Sequence, residues 1–313
     1  MSRARAFAGA VCLALLPGIR QASAHPGPHH EIERLTGLLR AEPNRPDLLV
    51  QRAVQYRLDG QLEKALQDVD RARTIEPAAP DIALQRGLIL SALRADAEAD
   101  RELTRALQVP SPPAAAYAER AAVRQRLGRA TEALADYNSA IALKPEIEAY
   151  CARGRLLESL GRQDEAAAGF RDGMDRLGGP VVLRKELIRL AVARGRWAEA
   201  LRLVDEELPQ TPIKTEWLLQ RAEIQQAAGN APAARFDREA ALHEAQRAFA
   251  RRPTALNQYW KARALVSLDR SDDAIMELIN ALARSPRFAL AADLLAQLEA
   301  RRAKPAPRAG HGE

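Results

Sequence analysis

The sequence is poor in aromatic residues: Phe, Trp and Tyr make up 4% of 313 residues, while Ala is abundant. That bias argues against one large core filled by bulky rings and for helices that approach each other closely. Cysteine is nearly absent, with Cys12 and Cys151 only. Cys12 lies in a segment expected to be removed, so one thiol remains and no internal disulfide can form. There is no Cys-x-x-Cys, no Walker-type phosphate loop and no dinucleotide glycine pattern. Of five histidines, His25, His29, His30 and His311 fall near the termini and His243 stands alone in the body. Nucleophilic catalysis needs a nucleophile beside its base, and His243 is far along the chain from Cys151. Paired carboxylates such as Asp205, Glu206 and Glu207 are what charged surface helices carry in any case. The chain is therefore read as no enzyme and as needing no cofactor.

Charge of one sign is also missing. The net charge is +6, and Arg3, Arg5 and Arg20 lie in the removable segment, which leaves +3 with both signs mixed. A nucleic-acid partner usually needs a clustered basic face, so none is expected. After residue 24 no apolar run is long enough to span a membrane.

Residues 1–24 read as a secretory signal peptide. Arg3 and Arg5 give a positive start, Ala6 to Leu16 is a short apolar run, and Ala22-Ser23-Ala24 is a small-residue cleavage pattern. Cleavage after Ala24 would place the mature chain in the periplasm or outside the cell. It would open on His25-Pro26-Gly27-Pro28-His29-His30, read as a flexible tail over residues 25–30. Its three imidazoles could hold a transition metal loosely, which gives one alternative function, metal handling by His25, His29 and His30. No second shell is visible, and no metal site is assigned.

What is present is a repeat. Leu127 to Pro145 reads as a glycine turn at Gly128, a helix presenting Ala133, Tyr137 and Ala140, and a proline stop. The same pattern recurs at Gly60…Ala65…Val69…Ala72…Pro77, at Gly161…Ala166…Phe170…Gly173 and at Gly195…Ala200…Val204. Full units begin near Pro46, Pro80, Ala114, Ile147, Val181, Thr215 and Ala255, at steps of 34, 34, 33, 34, 34 and 40 residues. An internal period of this length decides the fold. Each unit is two helices joined by a turn, with Arg94 and Asp269 at the turn place that Gly60, Gly128, Gly161, Gly195 and Gly229 fill elsewhere. Residues 31–302 form the array. A half repeat leads it, and a capping helix over 287–302 with a polar outer side ends it. Residues 303–313 read as a disordered tail.

Small residues recur where two helices must touch: Ala53, Gly87, Ala121, Gly154, Ala222 and Ala262 in the first helix, and Ala65, Ala99, Ala133, Ala166, Ala200, Ala234 and Ala274 in the second. Ile188 and Glu207 break the pattern. One place before the first-helix residue stand Arg52, Arg86, Arg120, Arg153, Leu187, Arg221 and Lys261; sixteen residues on stand Asp68, Glu102, Asp136, Gly169, Leu203, Asp237 and Glu277. Five cations meet an acid and the one leucine meets a leucine, which predicts contact across the helix pair.

This spacing and small-residue signature resemble the tetratricopeptide repeat over essentially all of residues 31–302. The resemblance implies an all-α, right-handed solenoid of about seven helix-turn-helix repeats, whose groove is lined by the first helices and grips a protein or peptide. Mapped onto this chain, the groove places are Val50, Val54, Leu84 and Leu88 at one end, then Arg126, Cys151, Arg155, Lys185 and Arg189 with Glu158 the one acid, then Tyr259 and Arg263. The expected groove is apolar at one end and basic in the middle. A purely structural subunit of an envelope assembly is the remaining alternative.

Overall fold

The computed structural model describes residues 27–303. The expected leader, His25 and residues 304–313 lie outside the described residues. Among the described residues there are sixteen helices and no strand. α1 (Pro28–Ala41) is followed by seven pairs. The first helices are α2 (Pro46–Leu58), α4 (Pro80–Ala92), α6 (Ala114–Arg126), α8 (Ile147–Ser159), α10 (Val181–Ala193), α12 (Lys214–Ala227) and α14 (Ala255–Ser267). The second helices are α3 (Leu62–Ile75), α5 (Asp96–Ala106), α7 (Ala130–Leu143), α9 (Gln163–Leu177), α11 (Trp197–Glu207), α13 (Ala231–Arg251) and α15 (Ser271–Arg284), and α16 (Ala289–Ala303) follows. The described residues divide into two compact units, unit 1 up to Asp136 and unit 2 from Tyr137 onward.

Local chemistry sets these boundaries. Pro at the first helical position opens α2 and α4, where its missing N–H is not needed. Every pair turns through one left-handed residue, with φ of 77° at Gly60, 83° at Gly229, and 63° and 61° at Arg94 and Asp269. The N–H three places beyond the helix end reaches back to a carbonyl in its last turn, as from Gln61 to Tyr56, Ala95 to Leu90 and Arg270 to Leu265, at 2.8, 2.9 and 3.0 Å. This is the Schellman closure. Arg94 and Asp269 adopt it despite a left-handed cost of roughly 1–2 kcal/mol for a residue with a Cβ.

The small residues sit at the close approaches. All seven alanines of the second-helix set are 0% exposed. In unit 1, Leu35 and Leu39 of α1 join Leu49, Val69 and Ile82 in one core cluster, so α1 covers the first pair as a half repeat. In unit 2, Ala291 and Leu298 of α16 join Tyr259, Leu278 and Ala281, and α16 closes that core.

All five expected charge pairs are made. Arg52 Nε and Nη2 donate to the two oxygens of Asp68 at 2.7 Å each. Arg120 does the same to Asp136 at 2.9 and 2.7 Å, and Arg221 to Asp237 at 2.8 and 2.7 Å. Arg86 reaches Glu102 at 3.1 Å and Lys261 reaches Glu277 at 2.7 Å. The arginines also reach back sixteen residues, to Thr36, Asp70, Thr104 and Asp205, so each ties its own pair to the second helix before it. Leu187 and Leu203 are both buried, an apolar replacement for the pair. Arg153 faces Gly169, where a Cβ would lie 2.6 Å from its Nη2, and it turns to Asn138 Oδ1 at 2.8 Å instead.

The structure corrects one expectation. Residues 28–30 are helix and not tail: α1 starts at Pro28, again proline at the first position, and His29 Nε2 lies 3.3 Å from Asp59 Oδ1. No group of three or more His, Cys, Asp or Glu suited to a metal occurs among the described residues. Glu207 breaks the small-residue pattern because Arg184 lies beside it, with Nε 3.0 Å from its Oε2. The longer sixth step goes into α13, which has 21 residues against 11 to 15 in the other second helices.

Candidate functional site

In unit 1 the face of successive first helices carries half-buried aliphatics. Val50, Leu84 and Leu88 pack against the cores beneath them, and Val54 is half-buried. Leu88 and Arg126 meet at one recess of about 320 Å³, whose other walls include Arg57, Ser91 and Glu119. Arg126 is engaged there: Nη2 donates to Asp96 Oδ1 at 2.6 Å and to Ser91 Oγ at 2.8 Å, and that hydrogen bond holds the Asp96 carboxyl below the usual range. Ser91 Oγ also donates to Glu119.

In unit 2 the cations expected to form a basic stretch are instead paired across neighbouring first helices. Arg155 Nη2 on α8 donates to Glu186 Oε1 on α10 at 2.7 Å. Arg189 donates to Glu186 at 2.8 Å and back to Glu158 at 2.6 Å. Lys185 Nζ on α10 donates to Glu216 on α12 at 2.6 Å. Burial alone would push the Glu186 carboxyl up, but the hydrogen bonds from Arg155 and Arg189 hold it below the usual range. Those same bonds, with Glu158 foremost for Arg189, raise both guanidiniums further. The expected basic middle is therefore a chain of compensated charges. Glu158 is not its one acid, because Glu186 and Glu216 complete it.

Two more expected places are corrected. Tyr259 is 5% exposed and belongs to the core, edge-on to Trp260 at 5.4 Å and to Phe288 at 5.6 Å. The capping segment lies over the last first helix and takes that ring. Cys151 is buried, and the loss of water around its thiol pushes its pKa up, so it is a packed hydrophobe and not a reactive group. Arg263 remains at the surface, half-buried, over the Trp260 ring at 5.9 Å.

Lys185 and Arg263 line one recess of about 250 Å³ on three successive first helices, α10, α12 and α14, together with Glu216, Gln220, Glu223 and Trp260. The sequence reading missed Trp260, Gln220 and Glu223. Trp260 had a signal, since it is one of only three tryptophans.

No family model matches the chain, and no curated protein matches it. Among solved structures, the crystal structure of yeast Tom70 aligns over 88% of this chain and 59% of its own, at 15% identity and a TM-score of 0.54. A tetratricopeptide repeat protein from Parabacteroides merdae aligns over 81% of this chain and 98% of its own, at 22% identity and 0.49. MamA aligns over 47% and 86%, at 23% identity and 0.44. The likeness to yeast Tom70 is one of fold. Within the chain itself, the 34-residue step, the buried alanines and the repeated turn recur from pair to pair. On these grounds the chain has the tetratricopeptide-repeat fold, an all-α repeat solenoid.

Proposed function

We propose that this protein is an interaction module that binds an extended protein segment along the exposed faces of its first helices. The observation that carries the reading is the recess on α10, α12 and α14. Its walls combine a half-buried tryptophan, a neutral amide and charges of both signs, since Lys185 and Arg263 are matched by Glu216 and Glu223. Such a surface suits a segment with an apolar anchor flanked by mixed charges. It does not favour the carboxylate-rich ligand that a basic groove would select.

A random peptide library selected on the chain tests this. Enriched peptides should lose at least about tenfold in affinity with Gln220→Trp, which fills the recess, and with Glu223→Arg. Arg202→Trp, on an exposed face of a second helix, should leave them unchanged. Peptides that bind all three variants alike would overturn the reading.

The module is proposed to act in the periplasm or outside the cell. The ordered sequence of charged start, apolar run and Ala22-Ser23-Ala24 supports this. N-terminal sequencing of the mature protein should begin at His25. Intact Met1 on soluble cytoplasmic protein would refute export. No helix among the described residues is long and apolar enough to cross a membrane.

A further inference from the structure

The long α13 ends beside a cavity of about 380 Å³, which shares Trp260 with the recess on the first-helix face. Its walls are the segment Thr211–Ile213, the start of α12, the last two turns of α13 and the start of α14. The residues that lengthen the sixth repeat supply one wall, through Arg247, Ala248 and Arg251. That wall is fixed: Asn257 Nδ2 on α14 donates to the carbonyls of Ala248 at 3.2 Å and Arg252 at 2.8 Å. Thr254 Oγ1 in turn accepts from the Asn257 N–H at 3.2 Å.

The charge around the cavity is unbalanced. Lys214, Arg247 and Arg251 line it against Glu244 alone. Glu244 is held by Arg247, while Lys214 and Arg251 make no ion pair among the described residues. Hydrogen-bond capacity is also left over, and most of it is donor. Thr215 is 4% exposed and lines the cavity, yet its side chain makes no hydrogen bond. Trp260 Nε1 is buried without a partner. No side chain caps the first-turn N–H groups of α12, which begins at this wall. An indole N–H and a helix N-terminus can only donate. Buried donors without acceptors are uncommon in folded proteins and call for a specific explanation.

We infer that the cavity at the sixth repeat binds a small organic oxyanion, a carboxylate or phosphate carrying an apolar part. The oxyanion would accept from the Thr215 hydroxyl and the start of α12, between Lys214 and Arg251. The apolar part would lie against the Trp260 ring and Ala248. The volume falls within the range of about 300–1,000 Å³ common for small-molecule sites. This inference does not rest on the peptide reading, and its probes are different.

Isothermal titration of the full chain with phenyl phosphate, benzoate and the neutral benzyl alcohol tests it. At least one anion should bind and benzyl alcohol should not; the stronger anion tells phosphate from carboxylate. Lys214→Glu with Arg251→Glu changes two exposed side chains and should weaken that anion by about tenfold or more, with the circular dichroism unchanged. Thr215→Val, close in shape, should weaken it a few-fold. No binding of either anion at millimolar concentration would overturn the inference. So would equal binding of benzyl alcohol, or undiminished binding by the double variant.

Discussion

Asp136→Ala is expected to destabilise unit 1 by about 3–5 kcal/mol, the cost of removing one partner from a buried ion pair. Asp136 is 3% exposed and accepts from Nε and Nη2 of Arg120. It also accepts from Arg124 Nη1 at 2.9 Å. Arg124 would keep Asp100, whose carboxyl it reaches at 2.8 Å. Arg120 would keep only the neutral Thr104 hydroxyl among its hydrogen-bond partners, at 3.1 Å. Its charge would then be desolvated and uncompensated. The double variant Asp136→Leu with Arg120→Leu should recover most of the loss, because Leu187 and Leu203 already show that the fold accepts an apolar pair at these places. Urea unfolding followed by circular dichroism gives both values. A loss below about 1 kcal/mol for Asp136→Ala would mean that the pair behaves as a surface salt bridge.

That pair was legible in the sequence because position and partner vary together. Where the cation is lost, at Leu187, the acid is lost too, at Leu203. The repeat itself was legible for a related reason. A backbone contact between two helices admits almost no side chain, so Ala and Gly recur at fixed steps whatever the surface does. The candidate groove obeyed no such rule. Whether Arg155 or Lys185 is free depends on the acid facing it from the next first helix, at Glu186 or Glu216, and those acids lie on surface that packing does not fix. Tyr259 occupies a groove place by register alone. Among the described residues α16 follows the seventh pair, and Phe288 before it packs edge-on to the Tyr259 ring, which lies in the core. The cavity beside α13 was only half legible: the step of 40 residues announced about six extra residues and a longer second helix, but not the cavity that its last two turns form with the start of α12.

Gly154→Ala should destabilise unit 2 by about 3 kcal/mol, the upper end of ordinary overpacking. A Cβ at Gly154 would lie 2.2 Å from Cζ and 2.4 Å from Cε1 of Phe170, which is 0% exposed and has no open space to retreat into. The same facing pair is Ala53 with Val69 in the first repeat and Gly87 with Leu103 in the second. At Gly87 a Cβ would come within 2.7 Å of Leu103 Cγ. Each repeat therefore divides a similar space between two side chains, and Phe170 takes nearly all of it. Phe170→Ala should cost about 3–5 kcal/mol by leaving a cavity that the fixed helices cannot close. Gly154→Ala combined with Phe170→Leu moves the division toward that of the first repeat. The double variant should lose less than its two single changes added together, with a coupling of about 1–3 kcal/mol. Trp197, Trp217 and Trp260 all lie in unit 2, so tryptophan fluorescence during urea unfolding reads the effect where it occurs. Strict additivity of the two changes would show that the phenyl ring moves aside freely, and the packing argument for the small-residue register would fail with it.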